Sequence, residues 1–140
     1  MEKAKKKMTP KECVVLFNKL WNEGNIEDFD KTNAPNMVYH HGDRNMTTKE
    51  FADFSKEFAK GFPGNQYHIE DIIEDKERNI CAVRYKWVGK HTGSFFGVPA
   101  TNKEMSLIIL EWDVFDEEGR FVESWARYDT LDWMKQMGLM

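Results

Sequence analysis

Phe121 to Asp129 carries a dense set of side chains able to do chemistry. Alternate residues of an extended strand share a face, so Glu123, Trp125, Arg127 and Asp129 stand together on one side. An indole among three charges suits neither a plain core strand nor a plain solvent face. It suits the wall of a pocket that is apolar in its body and polar at a few points. A carboxylate desolvated there has its pKa raised and moves protons near neutral pH. A second reading stands beside this one. Asp before an apolar-periodic run is a common helix N-cap, and Leu131, Met134 and Met137 follow Asp129 at helical spacing.

Other candidates lie upstream. His91 ends a long extended segment, where it can donate to a substrate carbonyl or tune a carboxylate. The same position also suits a histidine bonded to backbone. His40 and His41 are neighbours on a short strand and point to opposite faces. His40 is assigned to the cavity because it shares a face with Val38. Adjacent strand histidines do not converge on an ion, so no metal site is expected. Asp113 shares a face with Leu107, Ile109 and Glu111. If that face is concave, Asp113 meets Arg127 or Asp129, as half of an acid/base pair or as a cross-strand salt bridge. Tyr39, Tyr67, Tyr85 and Tyr128 are candidate oxyanion donors that the sequence does not rank. Trp21, Trp87 and Trp125 read as ligand-binding walls. Phe95 and Phe96 read as a lid over the mouth or as interface contacts.

These residues need elements to position them. Thr9-Pro10-Lys11-Glu12 is a capping box that opens a helix to about Glu23, ended by Gly24. Asn25 begins a short second helix, closed by Pro35. Met37 to His41 is a strand and Gly42 to Asn45 a turn. Thr47 to Glu50 is a second capping box, opening a helix to about Lys60 with Phe51, Phe54 and Phe58 on one face. Strands follow at Tyr67–Glu74, Ile80–His91, Lys103–Phe115 and Phe121–Asp129, then a helix from Leu131 to Met137. Helices first and long strands after predict an α+β fold, a curved antiparallel sheet with helices on one face.

Composition narrows the function. The 140 residues fit one domain, 9–140, behind a basic flexible tail, 1–8. The 14% aromatic content and eight methionines are enough to line a roomy apolar cavity, so an apolar small-molecule ligand is expected. The net charge of −4, with a basic cluster only at Lys3, Lys5, Lys6 and Lys7, argues against a nucleic-acid partner. No apolar run approaches a membrane span or a secretory signal. Cys13 and Cys81 fit no redox or metal spacing and read as small hydrophobes in a reducing cytoplasm.

Four phrases, in order, resemble one family. They are Val15 to Asn25, Ala34 to His41, His91 to Pro99, and Gly119 to Trp125 followed by Asp129 and Gln136 to Leu139. Together they are similar to the SnoaL-like polyketide cyclase (ester cyclase) group of the NTF2-like superfamily, from about Pro10 to Leu139. The resemblance implies a cone, with N-terminal helices closing over a curved sheet and a deep cavity between. It implies a homodimer and no cofactor. It also implies acid-base promotion of an intramolecular aldol closure by a cavity aspartate, which falls at Asp129. Two positions depart from the family pattern. Ser124 stands where histidine is frequent, and Ala100-Thr101-Asn102 replaces a Thr-Gly turn. The superfamily also contains isomerases and proteins that only bind. Two expectations follow: a cyclase or isomerase working by proton transfer, or a non-catalytic ligand-binding or dimerisation module with the same cavity.

Overall fold

A computed structural model describes residues 7–140. Helix α1 (Pro10–Glu23) starts in the expected capping box. Thr9 Oγ1 accepts from the Glu12 N–H at 3.1 Å, and the Glu12 carboxylate accepts from the Thr9 N–H at 3.3 Å. Pro10 takes the first helical position, where no N–H is needed. A 3-10 turn (Ile26–Lys31) leads to strand β1 (Asn33–His41), which begins earlier than the sequence suggested. Pro35 lies inside β1, where the register with a neighbouring strand shifts between Asn33 and Val38. Such irregularities tolerate a residue without an N–H. Arg44 and Asn45, expected in a turn, open a short strand β2 (Arg44–Thr47) that folds back on β1. Helix α2 (Thr48–Gly61) starts in the second capping box, Thr47 with Glu50.

Four strands then follow: β3 (Gln66–Asp75), β4 (Ile80–Lys90), β5 (Glu104–Phe115) and β6 (Phe121–Arg127), with helix α3 (Thr130–Gln136) at the end. The sheet order is β2-β1-β6-β5-β4-β3. Every contact is antiparallel except β1 with β6, which is parallel. The fold is therefore the expected α+β cone on a curved sheet, with one parallel junction closing it.

The concave face is the core. It carries Val83, Tyr85 and Trp87 from β4 and Leu107 and Ile109 from β5, all buried. Helix α1 packs on β3 and helix α2 on β1. Strand β3 does not keep one alternation throughout. A bulge between Ile69 and Asp71 adds a residue and exchanges the faces. Tyr67 and Ile69 therefore face inward before it, Ile72 faces inward after it, and Ile73 is 69% exposed.

Of the expected basic tail, Lys3, Lys5 and Lys6 lie outside the described residues. Met8 packs against the core, beneath Gly119. Cys13 and Cys81 are free and fully buried, and burial pushes the Cys81 thiol up to about 12. Among the described residues no helix is long and apolar enough to cross a membrane.

Candidate active site

Helices α1, α2 and α3 close over the concave face around a cavity of about 240 Å³. Its aromatic lining follows from helical spacing. Phe17 and Trp21 lie one turn apart on α1, and Phe51, Phe54 and Phe58 share one face of α2. Tyr39, Tyr67, Tyr85 and Trp87 meet them from the sheet, and Tyr128 and Trp133 from the C-terminal end. Among the described residues, thirteen of the eighteen that line it are Phe, Tyr or Trp, and none is Lys or Arg. Two of the indoles are fixed by one side chain that sequence reading did not single out. Asn65 Oδ1 accepts from Trp21 Nε1 and from Trp87 Nε1, each at 2.8 Å, while Asn65 Nδ2 donates to the Phe62 carbonyl at 2.9 Å. Only a turn-type residue after Pro63-Gly64 is visible locally, and that gives no hint of two distant indole partners.

The acidic group lining the cavity is Glu111, on β5. Two residues on, Asp113 is fully buried. Ser124 lies opposite Asp113 on β6. Its hydroxyl is 2.5 Å from Asp113 Oδ1 and 3.3 Å from Glu111 Oε1, so one hydroxyl bridges two carboxyl groups. Burial raises the pKa of both carboxyls, and the neighbouring Glu111 charge raises Asp113 further. Hydrogen bonding to Ser124 works the other way on both. Asp113, fully buried and with its Oδ2 unpartnered among the described residues, is the costlier of the two to ionise. No Lys or Arg among the described residues forms an ion pair with either. Burial, then the Glu111 charge, holds the hydroxyls of Tyr39, Tyr67 and Tyr85 above the usual phenol range. These phenols are therefore neutral donors.

Eight residues expected at the site do line the cavity: Trp21, Tyr39, Tyr67, Tyr85, Trp87, Phe95, Phe96 and Tyr128. Others are corrected. Asp129 is exposed and caps α3, its Oδ1 accepting from the Asp132 N–H at 3.0 Å. The capping alternative holds because β6 ends at Arg127, before the alternation reaches Asp129. Glu123 and Trp125 do share a face, but it is the convex one. There His40 stacks on Trp125 at 4.8 Å and meets Glu123 Oε2 at 2.7 Å. The cavity histidine is therefore His41, next to Tyr39 and Tyr128. Burial holds its pKa below the usual range, and the charges of Arg44 and Arg127 add to this.

His91 is fully buried and does not line the cavity. It stacks on Phe62 at 5.0 Å, and its Nδ1 accepts from the Thr101 N–H at 3.2 Å. This is close to the backbone-bonded alternative, and burial keeps the imidazole neutral. Asp113 is in the acid cluster, but its partners are Ser124 and Glu111, not Arg127 or Asp129. Glu111-x-Asp113 on an otherwise apolar strand face was the sequence signal for the pair. Nothing in the sequence paired Ser124 with it, because that contact depends on the β5–β6 register.

A curved sheet closed by helices over a deep cavity defines the NTF2-like class. Within that class, the family model described as SnoaL-like polyketide cyclase matches residues 11–137, and the chain belongs to this family. A search of curated sequences finds no match. Among solved structures, IdmH from Streptomyces antibioticus, to which a polyketide cyclase role is ascribed, is similar with a TM-score of 0.80 and 23% identity, over 94% of this chain and 99% of that one. AclR from Streptomyces galilaeus, to which a hydroxylase role is ascribed, gives 0.82 and 21%, over 94% and 96%. A SnoaL-like polyketide cyclase from Agrobacterium tumefaciens gives 0.76 and 14%, over 94% and 99%. At these identities the likeness concerns the fold.

Proposed function

We propose that this protein is a cofactor-independent small-molecule enzyme that moves protons next to a carbonyl, as a cyclase or isomerase. The carrying observation is the Glu111–Ser124–Asp113 cluster, a carboxyl pair without a cationic partner among the described residues that meets an aromatic cavity through Glu111. Ionised Glu111 takes a proton from a carbon next to a carbonyl, and the electron pair of that C–H bond passes to the carbonyl oxygen. A cavity phenol donates to the resulting enolate. The enolate carbon then attacks a second carbonyl of the same molecule, one C–C bond forms, and the proton on Glu111 returns to the new alkoxide. Where a β,γ double bond stands in place of the second carbonyl, the electron pair of the C–H bond forms a dienolate, and return of the proton to its γ carbon gives the conjugated isomer. Asp113 stays protonated and, through the Ser124 hydroxyl, keeps the Glu111 charge stabilised.

The test is exchange of the α-hydrogens of a bicyclic ketone such as 2-tetralone in deuterated water, followed by NMR. Exchange by the wild type and its loss in Glu111→Gln support the reading. Ligand-induced thermal shift without exchange, across a panel of such ketones, favours the binding module instead.

The protein is also proposed to pair with a second copy through its convex face. Ile73, Ile108, Leu110 and Trp112 stand there 46–69% exposed, a continuous apolar surface of the kind that monomers seldom leave open.

A further inference from the structure

We propose that the cavity selects a small, flat ligand carrying a protonated amine, and disfavours ligands carrying a carboxylate or phosphate. This inference rests on the reading of the cavity as a small-molecule site, but not on the proton-transfer chemistry.

Three observations lead to it. Aromatic faces carry negative charge density and hold cations above them, and aromatic side chains dominate the lining. The charged group at the wall is the carboxyl of Glu111, with Asp113 beside it, and no Lys or Arg lines the cavity or pairs with either among the described residues. The lining imidazole, His41, is neutral, so it does not offset the acid. A buried carboxylate without a counter-charge is costly, and an ammonium group brought in by the ligand would supply the missing partner. An anionic ligand would meet the same acids and the same ring faces as repulsion.

Size sets the rest. A cavity of about 240 Å³ falls below the roughly 300–1,000 Å³ of pockets for drug-sized ligands. One or two fused rings with a short amine arm fit it. The protonated amine carries its own proton in and pairs with the Glu111 carboxylate, so no proton has to move.

The experiment uses three probes that differ in one group: 2-naphthylmethylamine, 2-naphthylmethanol and 2-naphthoate. Each is titrated calorimetrically into the full-length protein at neutral pH. The expected order is amine, alcohol, carboxylate, with the amine at least about tenfold tighter than the alcohol. Glu111→Gln is expected to bring amine and alcohol within about twofold. Should that variant not fold, the wild type locates the amine by itself. In its ¹H–¹⁵N spectrum the indole signals of Trp21, Trp87 and Trp133 move on amine binding, while that of Trp112 on the convex face does not. Equal binding of amine and alcohol, or tightest binding of the carboxylate, overturns the charge preference and leaves the cavity reading standing. Movement of Trp112 alone also overturns it. Binding of none of the three overturns both.

Discussion

Ser124 Oγ lies 2.5 Å from Asp113 Oδ1, on the residue directly opposite in the β5–β6 ladder, and both side chains are fully buried. The bond locks one oxygen of Asp113 and leaves the other, Oδ2, without a partner among the described residues. A buried carboxyl in that position is far cheaper protonated than ionised. In the proposed reaction it serves as a fixed neighbour to Glu111 rather than as a second base.

Glu111→Gln is expected to lower turnover by about 10²–10⁴-fold, the usual contribution of a positioned acid/base, with the fold intact. Asp129→Ala should change turnover by less than about twofold. It should instead cost about 1 kcal/mol of stability, as loss of an N-cap does. Steady-state kinetics paired with urea unfolding separates the two roles. An inactive, normally stable Asp129→Ala would restore Asp129 as the base.

Stability should fall as pH rises from the ordinary carboxylate range toward neutrality. The sign follows from the raised folded-state pKa of Glu111 and Asp113. The native state binds their protons more tightly than the unfolded chain, so the stabilisation is complete below the unfolded pKa and is lost through the folded one. Each pH unit between the two values corresponds to about 1.4 kcal/mol. Asp113→Asn should flatten this dependence, which urea melts between acid and neutral pH will measure.

Asn65→Ala removes the common acceptor of Trp21 and Trp87 and leaves two indole N–H groups in the cavity wall without it. A cost of about 2–6 kcal/mol is expected, from one to three per unsatisfied group. Ligand affinity should weaken along with stability. Thermal unfolding with and without ligand checks both.

Gly93→Ala should loosen the loop that carries Phe95 and Phe96. The loop is held on the end of α2 by Thr92 and Gly93 N–H bonds to the Gly61 carbonyl, at 3.1 and 3.2 Å. A Cβ at Gly93 would collide with the Lys60 carbonyl oxygen, a backbone atom that cannot step aside. The expected penalty is about 1–3 kcal/mol, with faster ligand dissociation because Phe95 and Phe96 border the cavity. Stopped-flow release rates provide the measurement.

Leu110→Lys places a charge in the middle of the exposed convex surface, where Leu110 is 56% exposed. It should convert a dimer to a monomer in sedimentation velocity without altering the circular dichroism of the fold. A wild type that sediments as a monomer throughout would remove the dimer proposal.

Sequence alone determined what depends on near neighbours. Both capping boxes, the helix faces of α1 and α2, and the shared face of Leu107, Ile109, Glu111 and Asp113 follow from spacing of 3.6 or 2 residues, which is fixed within each element. So does the aromatic wealth that makes a cavity. Tertiary structure decided which face is which. His40 and His41 are equivalent by alternation, and only pairing with β6 sends His40 to Trp125 and His41 to the cavity. The carboxylate that lines the cavity depends on two long-range facts, the end of β6 at Arg127 and the register that sets Ser124 against Asp113. Neither is a local property. A strand carries its alternation in its own residues, but its partner, its register and its concave side come from the chain as a whole.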